Sequence, residues 1–231
     1  MSTTLKDILK KKQEQAERQA RPEIAWFSLK KKNPIRVQFL QELGDEARQY
    51  DSAKGSALYL VEHVSPFDFK KKALCSQDSE GRCFACEMDQ EEPSRKRTDG
   101  TTEWHPWGQR SNMYIQLVTE DGDVQVLSRP APGSVFDQLY EYASEENDDS
   151  IIGVTFKISK GVANTAKWEV KSTKQIFEVP DSAEVIDLSQ AIGYKLEYSK
   201  QRAFYMGDQI ADAPNEEVKD KDQPDKKGWD W

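Results

Sequence analysis

Histidine and cysteine are scarce in this chain, with two and three copies among 231 residues. Three cysteines, an odd number in so polar a chain, argue against a disulfide framework. No run of about 18 apolar residues occurs, which excludes a transmembrane helix. The opening residues MSTTLKDILKKK contain no apolar h-region, so a secretory signal is not expected and an intracellular setting is. No internal repeat is visible. Hydrophobic residues reach only 36% against 32% charged, and mean hydropathy is -0.84. A modest core with solvated segments is therefore expected.

The net charge of -8 argues against nucleic acid at first sight, but the distribution is uneven. Residues 1–36 hold ten Lys/Arg and four Asp/Glu, whereas residues 141–231 hold 12 basic and 19 acidic residues. Such asymmetry points to a basic contact surface and an acidic arm.

Residues 1–21 read as a basic helical arm, with Asp7/Lys11, Glu14/Arg18 and Glu17/Arg21 at i,i+4 spacing and Pro22 as its stop. Its apolar face is thin, so it is expected to dock elsewhere. Residues 22–183 read as a mainly β core: strands at Ile24–Leu29, Ile35–Leu40, Ala57–Val64, Met113–Val118, Val124–Leu127, Ile151–Ser159 and Lys167–Ser172. One helix follows Ser134, its expected N-cap, with Val135, Phe136, Leu139, Tyr140 and Ala143 at helical spacing. An irregular stretch at about 63–108 interrupts the strands. Residues 184–210 suggest a last helical segment weakened by Gly193, and residues 211–231 a disordered acidic tail ending in Trp. Short strands with few helices suit a mainly β protein with α elements (α+β), an OB-type barrel first, with an SH3-like barrel or a sandwich as rivals.

The sharpest signal is His63, Cys75, Cys83 and Cys86, which place every cysteine and one of two histidines within 24 residues. A C-x-x-C pair sets two thiolates on one tight turn, where both reach one tetrahedral ion. Three thiolates and an imidazole favour a single Zn²⁺, and four protein ligands make the site structural. Rival readings are unrelated cytosolic thiols and redox chemistry at Cys83–Cys86, the latter without the βαβ unit it needs. A zinc deaminase would need Glu two residues after the ligand His, and Ser65 stands there. His105 reads as an ordinary loop residue.

A second signal is the mixing of rings with cations. Trp26, Lys30, Lys31, Lys32 and Arg36 lie on two successive segments. Phe67, Phe69, Lys70, Lys71 and Lys72 follow His63, and Arg95, Lys96 and Arg97 precede Trp104, Trp107, Arg110 and Tyr114. Lys157 and Trp168 share a hairpin. Cations for the backbone and ring faces for bases are how single-stranded nucleic acid is held. Core aromatics and solvated charge runs are the plain rival, and Phe27, Phe39, Phe136 and Phe156 read as core.

The order of these features resembles the single-stranded DNA-binding proteins of T-even bacteriophages: a basic arm, strand Ile35–Leu40, His63, Phe69-Lys70-Lys71, Cys75, Cys83-Phe84-Ala85-Cys86 and strand Tyr114–Val118. The resemblance spans roughly residues 1–170 and is specific in the His-Cys-Cys-x-x-Cys order. It implies an OB-fold with an inserted zinc subdomain, His63, Cys75, Cys83 and Cys86 as ligands, and a DNA cleft between the two parts. It implies self-association along DNA through the arm, and replication proteins contacted by an acidic tail. The chain departs from the family where Ser2-Thr3-Thr4 precede the lysines of the arm, and where the short tail is mixed in charge and ends in aromatics. Trp229, Asp230 and Trp231 then read as a partner hook.

The expected function is coating of single-stranded DNA in phage replication, recombination and repair, in the cytoplasm of the infected bacterial host, with no membrane and no enzymatic activity. The alternative is a zinc-stabilised adaptor that recruits replication or transcription partners through its tail. A nuclease lacks a visible carboxylate-His cluster.

Overall fold

The structure is a computed structural model and describes residues 23–96, 103–147, 149–160 and 167–207. The expected arm at 1–21 and tail at 211–231, with Trp229, Asp230 and Trp231, lie outside the described residues, as does Arg97.

Nine strands and five helices follow in chain order among the described residues. They are β1 (Ile35–Phe39), β2 (Leu58–Val64), β3 (Lys72–Leu74), α1 (Gln77–Glu80), α2 (Phe84–Glu91), β4 (Arg95–Lys96) and β5 (Glu103–Trp104). Then come β6 (Arg110–Thr119), β7 (Val124–Pro130), α3 (Ser134–Glu146), β8 (Thr155–Lys160), β9 (Trp168–Thr173), α4 (Leu188–Ile192) and α5 (Tyr198–Met206). The fold is mixed α and β on an antiparallel sheet.

Strand β6 is the spine of a seven-stranded sheet ordered β3-β2-β6-β1-β8-β9, with β7 also on β6. One edge of β6 pairs with β7 from Asn112 to Val118. The other edge is shared: β2 lies opposite Arg110–Tyr114 and β1 opposite Leu117–Thr119. A ten-residue strand is long enough to serve two shorter partners in turn.

The sheet does not close, in contrast to the barrel expected from the strand pattern. Two of its edge strands, β7 and β9, are met in part by other groups. On β7, Val126 accepts from the Phe27 N–H at 2.9 Å and donates to the Ala25 carbonyl at 2.8 Å. On β9, the Gln138 side chain of α3 accepts from the Val170 N–H at 2.9 Å and donates to the Trp168 carbonyl at 3.1 Å. The groups so engaged are not available to pair the two strands with each other. Residues 24–29, expected as a strand, therefore form only an isolated parallel bridge at Trp26.

The main core fills the concave side of the sheet beneath α3. Val135, Phe136, Leu139 and Ala143 meet Val37, Phe39, Ile115, Leu117, Phe156 and Ile158, all buried. Phe156 receives Phe39 and Tyr142 edge-on, at 5.5 and 5.0 Å between ring centres. Gly133 occupies the N-cap of α3, where Ser134 was expected. A side chain there would meet the Pro130 carbonyl oxygen at 2.5 Å, so the turn admits glycine alone. A smaller cluster of Tyr114, Val126 and Leu188 covers the opposite face, and a third surrounds the cysteines. The stretch after β2, expected to be irregular, holds β3, α1, α2 and the β4–β5 ladder before the chain returns in β6. The expected last helix is two short ones, α4 and α5, parted at Gly193. No helix among the described residues is long and apolar enough to cross a membrane.

Candidate metal centre and nucleic-acid face

His63 sits near the end of β2, opposite Ala73 on β3, and is fully buried. Its Nδ1 lies 2.7 Å from the Trp107 carbonyl. A carbonyl only accepts, so Nδ1 carries the proton and Nε2 turns its lone pair toward the thiols. A ligating imidazole is commonly oriented this way by its second nitrogen. Cys75 leaves β3 with its N–H bonded to Val61 at 2.9 Å. Cys83 is the N-cap of α2 and Cys86 lies in its first turn, where the helix dipole favours negative sulfur.

The four ligand atoms lie within 4.8 Å of one another, an arrangement that can hold one metal ion. Cys75 and Cys86 sulfurs are 3.6 Å apart, and Cys86 sulfur is 3.3 Å from His63 Nε2. A tetrahedral ion with metal–sulfur bonds of about 2.3 Å would space its thiolates about 3.8 Å apart. The residues therefore fit such an ion.

The electrostatics fit it too. Burial pushes the Cys75 thiol up. Burial and the neighbouring Cys75 push Cys86 up to about 12. Burial also opposes ionisation of Cys83, but the His63 contact and the N–H groups of Ser76 and Cys86 outweigh it and lower that thiol to about 6. Three ionised sulfurs this close repel one another unless a cation stands between them. Gln109 donates to Cys75 and Cys86 at 3.4 and 3.5 Å.

Helix α5 clasps this centre, which nothing in the sequence pattern signalled. Gln201 of α5 is fully buried. It accepts from the Phe84 N–H at 2.9 Å and donates to Ser76 Oγ at 2.8 Å and the Leu196 carbonyl at 2.9 Å. Tyr205 stacks on Phe84 and meets Trp107 edge-on.

Two rings expected to stack bases are core instead. Trp107 is 1% exposed and walls the metal centre between Phe67, Phe84 and Tyr205. Tyr114 is fully buried, and its hydroxyl donates to Glu62 at 2.5 Å. Burial and that carboxylate push the Tyr114 phenol up. Lys72, expected to meet phosphate, is held by Glu62 at 2.7 Å and by the Tyr114 hydroxyl. Burying a carboxylate such as Glu62 requires these partners. Lys32 and Arg36 both converge on Glu120, at 2.7 Å from Lys32. Trp168 is partly buried beneath the Arg129 guanidinium.

Other expected contacts are at the surface. Trp26 is 51% exposed and Phe69 66% exposed. Lys30, Lys31, Lys70, Arg110 and Lys157 are exposed, and Lys71 partly so. Arg95 stands opposite Trp104 in the β4–β5 ladder, beside Lys96; their side chains lie outside the described ones. Phe67 is 48% exposed, and the structure adds Tyr59, 53% exposed, which the alternation of β2 had left unassigned.

The loop bearing Phe67 and Phe69 is firmly built. Ser65 Oγ donates to the Tyr205 carbonyl at 2.6 Å and accepts from the N–H groups of Phe67 and Asp68. Asp68 in turn accepts from the N–H groups of Lys70 and Lys71. No family model, curated protein or solved structure matches this chain.

Proposed function

We propose that the protein binds single-stranded DNA without catalysing a reaction, as a coating protein of phage replication, recombination and repair. We read the sheet as an opened OB-type barrel and the Cys/His centre as a structural Zn²⁺ site. Three thiolates and one imidazole are soft ligands, and with all four places taken by protein the ion props up the loop beside it.

One observation carries this reading. Phe67 and Phe69 are held out toward solvent, next to Lys70 and Lys71, by a loop that Ser65 anchors to the core. Phe67 rests one edge on Trp107, and Phe69 is left facing solvent on a fixed frame beside cations. They match the demands of an unpaired strand, whose bases offer ring faces and whose backbone offers charge. Trp26 with Lys30 and Lys31 repeats the combination elsewhere on the surface.

The test is a titration of poly-dT and of a duplex oligonucleotide, read by tryptophan fluorescence across a salt series. Preference for the single strand is expected, with a log–log salt slope of about -0.7 per phosphate neutralised. Equal affinity for duplex, or capture of a protein partner without DNA, would favour the adaptor reading instead.

A further inference from the structure

Arg129 and Trp168 stand on two edge strands of the sheet, β7 and β9. The guanidinium carbon lies 3.2 Å from the centre of the Trp168 ring. Phe27 supports that ring from the side at 5.8 Å. The Nε of Arg129 is buried and meets no hydrogen-bond partner among the described residues. Burial alone depresses its pKa, with no acid offsetting it.

Two other strand cations have acid partners: Arg36 reaches Glu120, which Lys32 also meets, and Lys72 reaches Glu62. A guanidinium taken partly out of water without an anion is unfavourable, and a ring face restores only part of the loss. Among the described residues no anion completes this group, and one arriving from outside would. A planar guanidinium is suited to phosphate, because its fork of N–H donors matches the phosphate oxygens.

The register shows what lies beside it. Met113 is opposite Arg129, and Tyr59 is opposite Met113. Tyr59 and Arg129 therefore share one face of the sheet, their backbones two strand spacings or about 10 Å apart, with the buried Met113 between them. Tyr59 is 53% exposed.

We propose that Arg129 holds a backbone phosphate of the single strand and that Tyr59 stacks a nearby base. The inference rests on the proposed function and adds two residues to it.

The experiment uses the full chain and a labelled oligo-dT, with anisotropy titrations over a salt series for wild type, Arg129→Gln, Arg129→Lys and Tyr59→Ala. Arg129→Gln is expected to make the salt slope shallower by about 0.7, one phosphate contact. Arg129→Lys keeps the charge and is expected to restore the slope. Tyr59→Ala is expected to weaken oligo-dT binding about fivefold or more with the slope unchanged, and to leave duplex binding alone. If wild type binds with salt dependence and both Arg129→Gln and Tyr59→Ala match it, this inference fails while the proposed function stands. If wild type does not bind oligo-dT, both fail. Tyr59 is a surface residue, so should Arg129→Gln not fold, the Tyr59→Ala titration decides.

Discussion

Gln201 accepts a hydrogen bond from the backbone N–H of Phe84 at 2.9 Å, joining the last described helix to the first residue of the helix that carries Cys86. The same amide donates to Ser76, next to Cys75. Gln201→Leu should orphan these groups at a cost of about 1–3 kcal/mol, the price of burying an unpartnered polar atom. Denaturant unfolding should show the loss, and a chromophoric chelator should strip the metal faster than from wild type. Unchanged stability and release would refute this clasp.

One zinc per chain is expected by elemental analysis. Cys83→Ser should abolish it, together with the near-UV circular dichroism of the Trp107, Phe84 and Tyr205 rings packed beside the centre. Acid should weaken the site. Cys86, pushed up to about 12 by burial and Cys75, ionises at neutral pH only with a cation to stabilise it. Protons and metal thus compete, and zinc affinity should fall as pH is lowered. Metal affinity flat between pH 8 and pH 5 would contradict this.

Trp107 and Phe69 should separate stability from binding. Trp107 is 1% exposed and Phe69 is 66% exposed. Trp107→Ala should cost about 3–5 kcal/mol of stability, as for other large core truncations. Phe69→Ala should leave the Tm unchanged and weaken single-strand binding by about 1–3 kcal/mol. The opposite pattern would show that the ring roles had been assigned backwards.

Glu120 provides a pH-dependent contribution. Its hydrogen bond to Lys32, with that to Arg36, holds its carboxyl below the usual range. A carboxyl lower in the folded state adds stability above its unfolded pKa of about 4.3. That contribution is lost as pH falls through the lower, folded value. Glu120→Gln should flatten the acid limb of the stability curve and leave the protein less stable at pH 7. An acid limb identical to wild type would rule Glu120 out as a contributor.

Strands β1, β2, β6, β7, β8 and β9 and helix α3 were legible from periodicity, because alternation and helical spacing are local properties. The strand expected at 24–29 was not, since its residues alternate well enough but pair only at Trp26. Lys72 reads as a free cation in FKKK, yet Glu62 across the β2–β3 ladder claims it. Arg129 stood in no basic cluster and gave no signal, though its surroundings are the least ordinary of the described arginines.

The metal ligands could be named from the chain alone, because soft sulfur and imidazole at turn spacing carry their chemistry in residue type. Which rings face solvent could not, because a tryptophan that walls a core and one that awaits a base are the same letter. That choice was made by distant partners: Glu62 for Tyr114, α5 for Trp107, and the partly met edges of β7 and β9 for a sheet that curls without closing. Burial is a property of the folded whole, set by contacts far apart in sequence, and local pattern does not contain it.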